Sequence, residues 1–552
     1  MQFFAFEINN SLQDNLNNFY YFYQNSIIMR KSIIILFIGV LISMTSCRKD
    51  FDTVPSTGSL EFSDETVYLD TVFTKIGSST YTLKVYNRSN NDIKIPSIHL
   101  AKADTKYRIM VDGMTGIDSD NSGVGDGKVF NNVELLAKDS MYVFIETTLD
   151  ISQLTNNKDF LYTDEIVFES GSATQKVNLV TLVKDAYFIF PNKVNNVYET
   201  VPLGVDSDGN TVSTIGRNLS HSNPDNGDEY TFKTDKPYVV YGYAAVAQGE
   251  TLTIPEGAKV HFHSESGLIV QPGATLNIVG GVSTFDDEGV PIDDNEVTFE
   301  GDRLEPDFED VPGQWGTIWL RQGSINNNIN HLTLKNAVVG LLVENCALNI
   351  KNSQIYNCAN LGILGREASI TGVNLAMNYA GQACFAGTIG GNYNFNYCTF
   401  NNNWSSPKQV AVQIDNYAVD PVTKLKTAKP LTTNFRNSII FGSNQVEVFI
   451  DIYNNDAFLP QFDHCLVKFN DAGTILASLT IYDAIRNEDN IYGNIKSQDP
   501  KFKNVDRNWL NIPTDSAAFE KGLANEELFD ILGKTRTNPT DIGAYKAVVF
   551  PN

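Results

Sequence analysis

The fold is decided by residues 249–281, GETLTIPEGAKVHFHSESGLIVQPGATLNIVGG. This stretch holds four apolar pairs, each followed by glycine, proline, serine or asparagine: Leu252/Ile254, Val260/Phe262, Leu268/Val270 and Leu276/Ile278. Alternation with a period of two predicts strands of about three residues joined by tight turns. A coil of short parallel strands requires this pattern, because each turn of the coil places its inward side chains on those of the turn below.

A related unit recurs further along the chain at a solenoid spacing. Its copies are Ser353-Gln354-Ile355, Val373-Asn374-Leu375, Cys398-Thr399-Phe400, Ser438-Ile439-Ile440 and Cys465-Leu466-Val467. Their first residues are separated by 20, 25, 40 and 27 positions, which fits one or two turns of a coil. Polar residues flank these units: Asn352, Asn357, Asn402, Asn437 and His464. We expect them to stack between turns and to satisfy backbone groups there.

Further motifs carry a resemblance to a known family. They are FEGDRL at 299–304, PGQWGTI at 312–318, Gly323-Ser324, KNAVVG at 335–340 and DIGAY at 541–545. Residues 238–545 thereby resemble the right-handed parallel β-helix proteins, and specifically an uncharacterised group of β-helix repeat lipoproteins from Bacteroidetes. The resemblance implies a right-handed parallel β-helix and brings no established activity with it.

The region before the repeats indicates a second β-structured domain. Residues 63–185 contain short alternating runs between turn residues, such as YTLKVY at 81–86 and MYVFI at 141–145, which predict a β-sandwich. The motifs LDTVF at 69–73, VYNRS at 85–89, LAKDS at 136–140 and DEIVF at 164–168 resemble immunoglobulin-like domains of ciliary and bacterial surface proteins. The predicted fold class is therefore all-β, a sandwich followed by a β-helix. Residues 186–237 connect the two or cap the β-helix, and residues 546–552 form a tail.

An export signal precedes both domains. The basic Met29-Arg30-Lys31 is followed by the apolar run IIILFIGVLI at 33–42 and by small residues up to Cys47, as in a secretory signal. Ten apolar residues are fewer than the ~20 that span a bilayer. The segment resembles the lipobox of bacterial lipoproteins, in which the signal is cut before an acylated cysteine. We expect a signal at 29–46, a lipid on Cys47, a linker at 47–62 and a mis-assigned extension at 1–28; an ordinary secretory signal is the alternative.

Composition and the residues after Cys47 limit the location and the partners. The run Arg48 to Asp52 resembles surface-export signals of Bacteroidetes lipoproteins, so we expect an outer-membrane lipoprotein, facing the periplasm or the cell surface. A net charge of −24 opposes binding of nucleic acid and anionic lipid, both of which require Lys and Arg. The expected partners are the membrane, through the lipid on Cys47, and a polysaccharide or a surface protein.

Metal binding is not expected from the cysteines. Five follow Cys47 without C-x-x-C spacing, and each lies in an apolar or Asn-rich setting typical of a small buried hydrophobe: Cys346, Cys358, Cys384, Cys398 and Cys465. Two acidic segments, residues 118–126 and 286–310, are expected to be solvated loops, with calcium binding as the alternative. We predict no resident cofactor.

The candidate ligand-binding residues are scattered along the repeats: Trp315, Trp319, Arg366, Asp415, Arg436, Asp463 and His464. Trp315 and Trp319 are expected to face the same way, into the core or outward as a platform for sugar rings. The others, like Lys468, are either solvated turn residues or ligand contacts. No pair of aspartates on neighbouring strands, as a hydrolase of this fold would need, is apparent. We predict a non-catalytic lipoprotein that binds glycan or protein along a β-helix face; a polysaccharide lyase or glycoside hydrolase and a structural spacer are the alternatives.

Overall fold

The computed structural model describes residues 53–151, 159–170, 173–206, 208–285, 291–454, 458–486, 491–524 and 527–550. The predicted extension, the signal and the acylated Cys47 lie outside these residues, as does the start of the acidic segment at 286–310. Across the described ranges, no helix combines the length and the apolar character needed to cross a membrane.

Strands account for 52% of the structure and helices for 4%, which confirms the all-β class. The chain forms two compact units. The N-terminal unit includes Thr82–Ile145 and Glu165–Asn178, and the long unit includes Leu179–Asn552.

Two sheets are built from the first ten strands. The strands are β1 (Val54–Pro55), β2 (Leu60–Phe62), β3 (Thr66–Phe73), β4 (Tyr81–Asn87), β5 (Ile93–Leu100), β6 (Tyr107–Val111), β7 (Val129–Leu135), β8 (Ser140–Thr147), β9 (Asp159–Ser170) and β10 (Ala173–Lys184). One sheet has the order β2-β4-β8-β6, and the other has the order β1-β5-β9-β10-β3 with β7 on β5. Burial alternates along these strands: in β8, Met141, Val143 and Ile145 are buried, whereas Tyr142 and Phe144 are exposed. The predicted half-buried strands are confirmed.

The remaining strands lie in the long unit. They are β11 (Tyr187–Ile189), β12 (Lys193–Val194), β13 (Val197–Tyr198), β14 (Thr200–Val205), β15 (Thr211–Asn218), β16 (Tyr238–Val240), β17 (Tyr243–Val246), β18 (Thr251–Pro255), β19 (Lys259–Phe262), β20 (Gly267–Val270), β21 (Thr275–Val279), β22 (Thr284–Phe285), β23 (Pro291–Asp293), β24 (Val297–Gly301), β25 (Ile318–Leu320), β26 (Asn327–Asn330), β27 (Leu332–Lys335), β28 (Val339–Glu344), β29 (Ala347–Cys358), β30 (Leu361–Ala380), β31 (Ala383–Asn396), β32 (Thr399–Asn402), β33 (Val410–Asp415), β34 (Tyr417–Val419), β35 (Lys426–Ala428), β36 (Leu431–Arg436), β37 (Ile439–Gly442), β38 (Val448–Asp451), β39 (Gln461–Asp463), β40 (Leu466–Val467) and β41 (Ile495–Lys496). The described helices are α1 (Asp483–Arg486) and 3-10 turns at Pro306–Phe308, Ile475–Ser478, Thr480–Tyr482 and Val505–Arg507.

Twenty-five of these strands share one sheet, and most pair in parallel with a strand that comes later in the chain. In residues 238–279, β16 pairs with β19, β17 with β20 and β18 with β21, all in parallel. The register places Leu252 beside Leu276, and both are fully buried. The four predicted apolar pairs fall on β18 to β21 and are buried, so this part of the prediction is confirmed. Three further strand pairs, β12–β13, β22–β23 and β34–β35, form separate two-stranded sheets.

Asparagines stack at turns of the long unit, as predicted. The Asn374 Nδ2 donates to Asn352 Oδ1 at 2.9 Å, and the Asn352 Nδ2 donates to Asn330 Oδ1 at 3.0 Å. Asn352 and Asn374 have φ values of 48° and 54°, in the left-handed region that asparagine tolerates better than most residues. Four of the five cysteines are buried and none forms a disulfide; burial raises the pKa of the Cys358 thiol to about 12. They pack as the small hydrophobes that were predicted.

Candidate functional site

An unbroken column of amide and hydroxyl side chains runs along the outward side of one series of parallel strands. Each member lies in register with the next, on strands β18, β21, β26, β29, β30, β31, β36 and β39. We call this column the amide ladder; its members are Thr253, Asn277, Asn328, Asn349, Thr371, Asn394, Asn434 and Gln461. Neighbouring strands lie about 4.8 Å apart, so the ladder presents one neutral hydrogen-bonding group per strand.

The alternation of the strands places the ladder outside. In β29, Leu348 and Ile350 are buried, and Asn349 between them is exposed. Ile350 is in register with Ile329 of β26, so the inward positions form an apolar column behind the amides. The buried apolar residues therefore stabilise the packing of these strands, and the exposed amide side chains do not take part in it.

The side-chain hydrogen bonds of the ladder lie in its middle, and the positions at both ends, Thr253 and Asn277 as well as Asn434 and Gln461, form none with described residues. The Asn349 Nδ2 donates to Asn328 Oδ1 at 3.2 Å. The side-chain amides of Asn434 and Gln461, by contrast, form no hydrogen bond with any described residue. Each amide offers two donors and an acceptor, so these two groups are available to a ligand.

The ladder ends in a groove with a volume of about 1130 Å³. One wall is formed by Asn434 and Arg436 of β36 with Gln461 and Asp463 of β39. The remaining lining includes apolar, aromatic and charged side chains: Leu459, Pro460, Ile481, Asp483, Arg486, Ile491 and Tyr492. Such a mixture of an apolar wall and a few polar groups is typical of ligand sites.

Two of the predicted site residues, Arg436 and Asp463, line this groove, and a third, His464, contacts Asp463. Arg436 and Asp463 are in register, with Nε of Arg436 at 3.1 Å from Oδ2 of Asp463. The Nε–H is not aimed at that oxygen and forms no hydrogen bond, so the pair is an electrostatic contact that leaves the guanidinium donors unused. His464 Nδ1 lies 2.6 Å from Oδ1 of Asp463. His464 also has a φ of 52°, so it serves the turn as well as the carboxylate.

The two predicted tryptophans do not face the same way, and that expectation is wrong. Trp315 is fully buried, stacks on Phe262 and donates Nε1–H to the carbonyl oxygen of Lys335 at 2.9 Å. Trp319 is partly exposed and donates to Glu344 Oε2 at 2.7 Å. Trp315 lies ahead of β25, whereas Trp319 is the middle residue of that three-residue strand and alternates with its buried neighbours. Trp315 has no surface to offer a ligand.

Arg366 and Asp415 lie outside the ladder: Arg366 precedes the ladder residue Thr371 on β30, and Asp415 is on β33. Arg366 is in register with Glu344, and its Nη1 lies 3.1 Å from Glu344 Oε1. Asp415 of β33 is in register with Asp451 of β38. The expectation that no aspartates occupy neighbouring strands is therefore wrong; the two are separated by 36 positions in sequence, because the β34–β35 hairpin is inserted between their strands.

The aspartate pair has an asymmetric environment. Burial, and then the charge of Asp451, raise the pKa of the Asp415 carboxyl, while the Ile389 N–H that it accepts at 2.8 Å acts in the opposite direction. Asp451 accepts the Tyr417 hydroxyl at 2.5 Å. Asp415, whose carboxyl pKa is raised, is thus the register neighbour of Asp451, whose carboxylate accepts a hydrogen bond.

The acidic segments are engaged in local contacts. Carboxylate oxygens of Asp118, Asp120 and Asp126 lie within 4.8 Å of one another. Asp118 accepts the backbone N–H groups of Ser122 and Gly123, and these bonds lower its pKa. In the second segment, four of the described acids contact basic side chains: Asp294 contacts Lys259, Glu300 contacts Lys335, Asp302 contacts His263 and Glu305 contacts Arg303.

The comparisons with known proteins do not identify a family. No protein-family model matches the chain, and no curated protein matches it. Solved structures that share short stretches include a family 123 glycoside hydrolase from Clostridium perfringens (TM-score 0.16, 6% identity, 23% of this chain and 27% of that one). They also include the VesB protease of Vibrio cholerae (TM-score 0.15, 10% identity, 23% of this chain and 31% of that one). A third is the periplasmic chaperone SfaE (TM-score 0.15, 13% identity, 23% of this chain and 57% of that one). The chain spans between a quarter and three fifths of these proteins, and TM-scores this low carry no argument.

Proposed function

We propose that the 25-stranded sheet is wound as a right-handed parallel β-helix and that the first two sheets form an immunoglobulin-like sandwich. The β-helix is supported by the in-register pairing of β18 with β21, of β21 with β26 and of β26 with β29. Each of these partners follows several strands later in the chain, which is the connectivity of a coil. The sandwich is supported by the alternating burial of β4 and β8.

We propose that the protein is an envelope lipoprotein that binds a neutral polysaccharide along the amide ladder and in the groove at its end. The observation that carries this proposal is the unbroken register of the eight ladder positions. Neutral amides match sugar hydroxyls, which both donate and accept hydrogen bonds. The strand spacing of about 4.8 Å is comparable to the length of one sugar unit, so successive sugars meet equivalent groups.

The groove adds an aromatic ring and a charged donor group, neither of which is present in the ladder. Tyr492, 44% exposed, offers a ring on which a sugar can stack. Arg436 adds guanidinium donors that no described residue uses. The ladder itself carries no charged side chain, so nothing along it attracts a polyanion, which is why the proposed polysaccharide is neutral.

A binding measurement tests the ladder. Protein of residues 48–552 is titrated with a panel of neutral polysaccharides, and Kd is measured for the wild type and for Asn434→Ala/Gln461→Ala. We expect about thirtyfold weaker binding in the double variant, because each of the two lost hydrogen bonds contributes about 1 kcal/mol. The matched control is Asn90→Ala, an exposed asparagine of the N-terminal unit, which should bind as the wild type does. Equal Kd values for all three proteins, or no binding to any polysaccharide, would contradict the proposal.

The lipid anchor has its own test. Cell fractionation and intact-mass measurement are carried out on the full chain and on Cys47→Ser. We expect the wild type in the membrane fraction, with a mass that begins at an acylated Cys47, and the variant in the non-membrane fraction, because two acyl chains suffice for stable attachment. Recovery of a peptide from residues 2–28 in the mature protein would show that the assigned signal is wrong.

One observation favours a second function, the hydrolysis of a glycosidic bond. Glycosidases use one protonated carboxyl and one carboxylate on either side of the bond, and environments that differ between two neighbouring acids provide such a pair. Asp415 and Asp451 are neighbours in register and differ in environment, because burial raises the pKa of Asp415 while Asp451 accepts the Tyr417 hydroxyl. Release of reducing ends from any polysaccharide of the panel, abolished in Asp415→Asn, would establish it, and no release from any of them would exclude it for that panel.

A further inference from the structure

The outward side of the β2-β4-β8-β6 sheet carries exposed aromatic rings. Tyr142 and Phe144 of β8 are 46% and 37% exposed. Their ring centroids lie 6.2 Å apart and their planes differ by only 19°, so the two rings are stacked nearly parallel and form one exposed aromatic platform. Tyr86 of β4, the strand next to β8, is a partly exposed third ring. We call these three rings, with Lys84, the aromatic face.

This platform is unusual for a surface that contacts only water. Outward positions of a half-solvated sheet are normally polar, and the neighbouring outward residues Thr82 and Arg108 follow that rule. Grouped exposed rings cost stability through unburied apolar area, and they are typical of surfaces that bind something.

Lys84 lies within the platform and its charge has no counter-ion. Its Nζ is 5.3 Å from the centroid of Tyr86 and 5.2 Å from that of Tyr142. No described carboxylate forms an ion pair with it. The nearby Arg88 differs, because both of its contacts with Glu61 are 3.0 Å long and its charge is thereby offset.

The face therefore combines flat rings with one unpaired cation, in a protein whose net charge is −24. The apolar C–H side of a pyranose ring packs on aromatic rings, and a carboxylate on the same sugar would pair with the Lys84 ammonium. Screening at physiological salt limits the repulsion from distant acids to about 8 Å, so the local cation decides. We infer that the aromatic face binds a glycan that contains a carboxylate-bearing sugar. This site goes beyond the neutral polysaccharide proposed for the amide ladder and does not depend on it.

The test uses pairs of ligands that differ only in charge. Protein of residues 48–552 is titrated by calorimetry with polygalacturonate, alginate and hyaluronan, and with the methyl ester of each. We expect at least one polyuronate to bind about fivefold more tightly than its ester, in the range of an exposed ion pair. Lys84→Gln should bind the acid and the ester equally, at the level of the wild type with the ester.

A second variant separates the rings from the charge. Tyr142→Thr/Phe144→Thr keeps residues that favour strands and should reduce binding of both acid and ester by about tenfold or more, with an unchanged unfolding curve. Asn434→Ala/Gln461→Ala serves as the control and should leave polyuronate binding unaltered.

Four outcomes would overturn the inference. They are no binding by any polyuronate, equal binding of acid and ester by the wild type, loss of polyuronate binding in the ladder variant but not in the ring variant, and a dimer in sedimentation that the ring variant abolishes. The last would assign the face to a second copy of the chain. Failure of the ladder variant to alter neutral-polysaccharide binding would count against the proposed function alone.

Discussion

The aromatic face of the N-terminal unit and the amide ladder of the long unit are both outward surfaces of sheets, yet their chemistry is opposite. The aromatic face concentrates three rings and one unpaired ammonium on two neighbouring strands. The ladder spreads eight small neutral groups over eight strands. A compact ligand group with a ring and a charge fits the first surface, and a long polymer of repeating neutral units fits the second.

The difference follows from how each sheet is built. In the long unit, successive in-register strands repeat one pattern. A residue type that occurs at the same position of each strand therefore forms a continuous column. In the N-terminal unit, neighbouring strands are unrelated in sequence, so a patch depends on which side chains the pairing happens to bring together. Periodic surfaces therefore suit periodic ligands, and local patches suit single sugars.

The largest expected contrast between the units is in their response to pH. Glu447 of the long unit is fully buried; its Oε1 accepts the Asn444 N–H at 2.7 Å, and its Oε2 has no partner. The buried Oε1 of Gln409 also lacks a partner. Burial raises the pKa of Glu447 from 4.5 to about 8, against the opposing effect of Lys468. A proton on Oε2 makes Glu447 neutral and removes the cost of burying its charge.

We expect the free energy of unfolding of the long unit to fall as the pH rises from 4.5 to 8, by up to about 5 kcal/mol. The sign follows because the folded state holds a proton over this interval that the unfolded state has released; below pH 4.5 both states hold it and nothing is lost. Urea unfolding at pH 5, 7 and 9 measures the effect. Glu447→Gln keeps the shape of the side chain and cannot ionise, so its stability should lack this component.

This prediction would be contradicted if the wild type and Glu447→Gln lose stability in parallel between pH 5 and pH 9.

In the N-terminal unit, the groups with shifted pKa values include Glu61, Arg88 and Asp118, and hydrogen bonds lower the pKa values of the two acids. Their contribution is present above their ordinary pKa values and is lost on acidification, so this unit should weaken in the opposite direction.

The next contrast separates the two sides of the ladder strands. Ile350→Ala should lower the free energy of unfolding by about 3 kcal/mol, because it leaves a cavity in a fully buried column. Asn349→Ala, the adjacent exposed position, should change it by less than about 0.5 kcal/mol. Urea unfolding of both variants provides the measurement. A large loss in Asn349→Ala would mean that the ladder stabilises the fold rather than serving a ligand.

Much of the long unit could be predicted because its signal is local and repeated. The apolar pairs at 252–278 and the asparagine stacks follow from spacing alone. The ladder could also have been predicted from the sequence, since Leu276-Asn277-Ile278 and Leu348-Asn349-Ile350 repeat the same apolar–amide–apolar triplet. The Asp415–Asp451 pair could not have been predicted from the sequence, because the inserted hairpin breaks the period that would have aligned the two residues.

The aromatic face could not be predicted for a different reason. The run MYVFI at 141–145 predicts a strand, but because every residue in it is apolar or aromatic, the sequence does not show which side of that strand faces water. Only packing against the opposite side decides that Val143 is buried and Tyr142 exposed. The same ambiguity concealed the outward direction of Trp319 between Ile318 and Leu320. Uniformly apolar strands carry no information about which side faces water.

The smallest expected effect sharpens the comparison of the two surfaces most directly, because it depends on charge alone. Raising the salt from about 0.05 M to 0.5 M shortens the screening length from roughly 14 Å to 4 Å. Polyuronate binding at the aromatic face should weaken by about threefold, the part of its affinity that an exposed ion pair supplies. Binding of a neutral polysaccharide to the ladder should not change, because amide–hydroxyl hydrogen bonds carry no net charge. Calorimetric titration of both ligands at the two salt concentrations measures this, with Lys84→Gln as the control that loses the salt dependence at the aromatic face. Equal salt dependence for the two ligands would mean that one surface binds both, and the distinction drawn between an aromatic and an amide site would then fail.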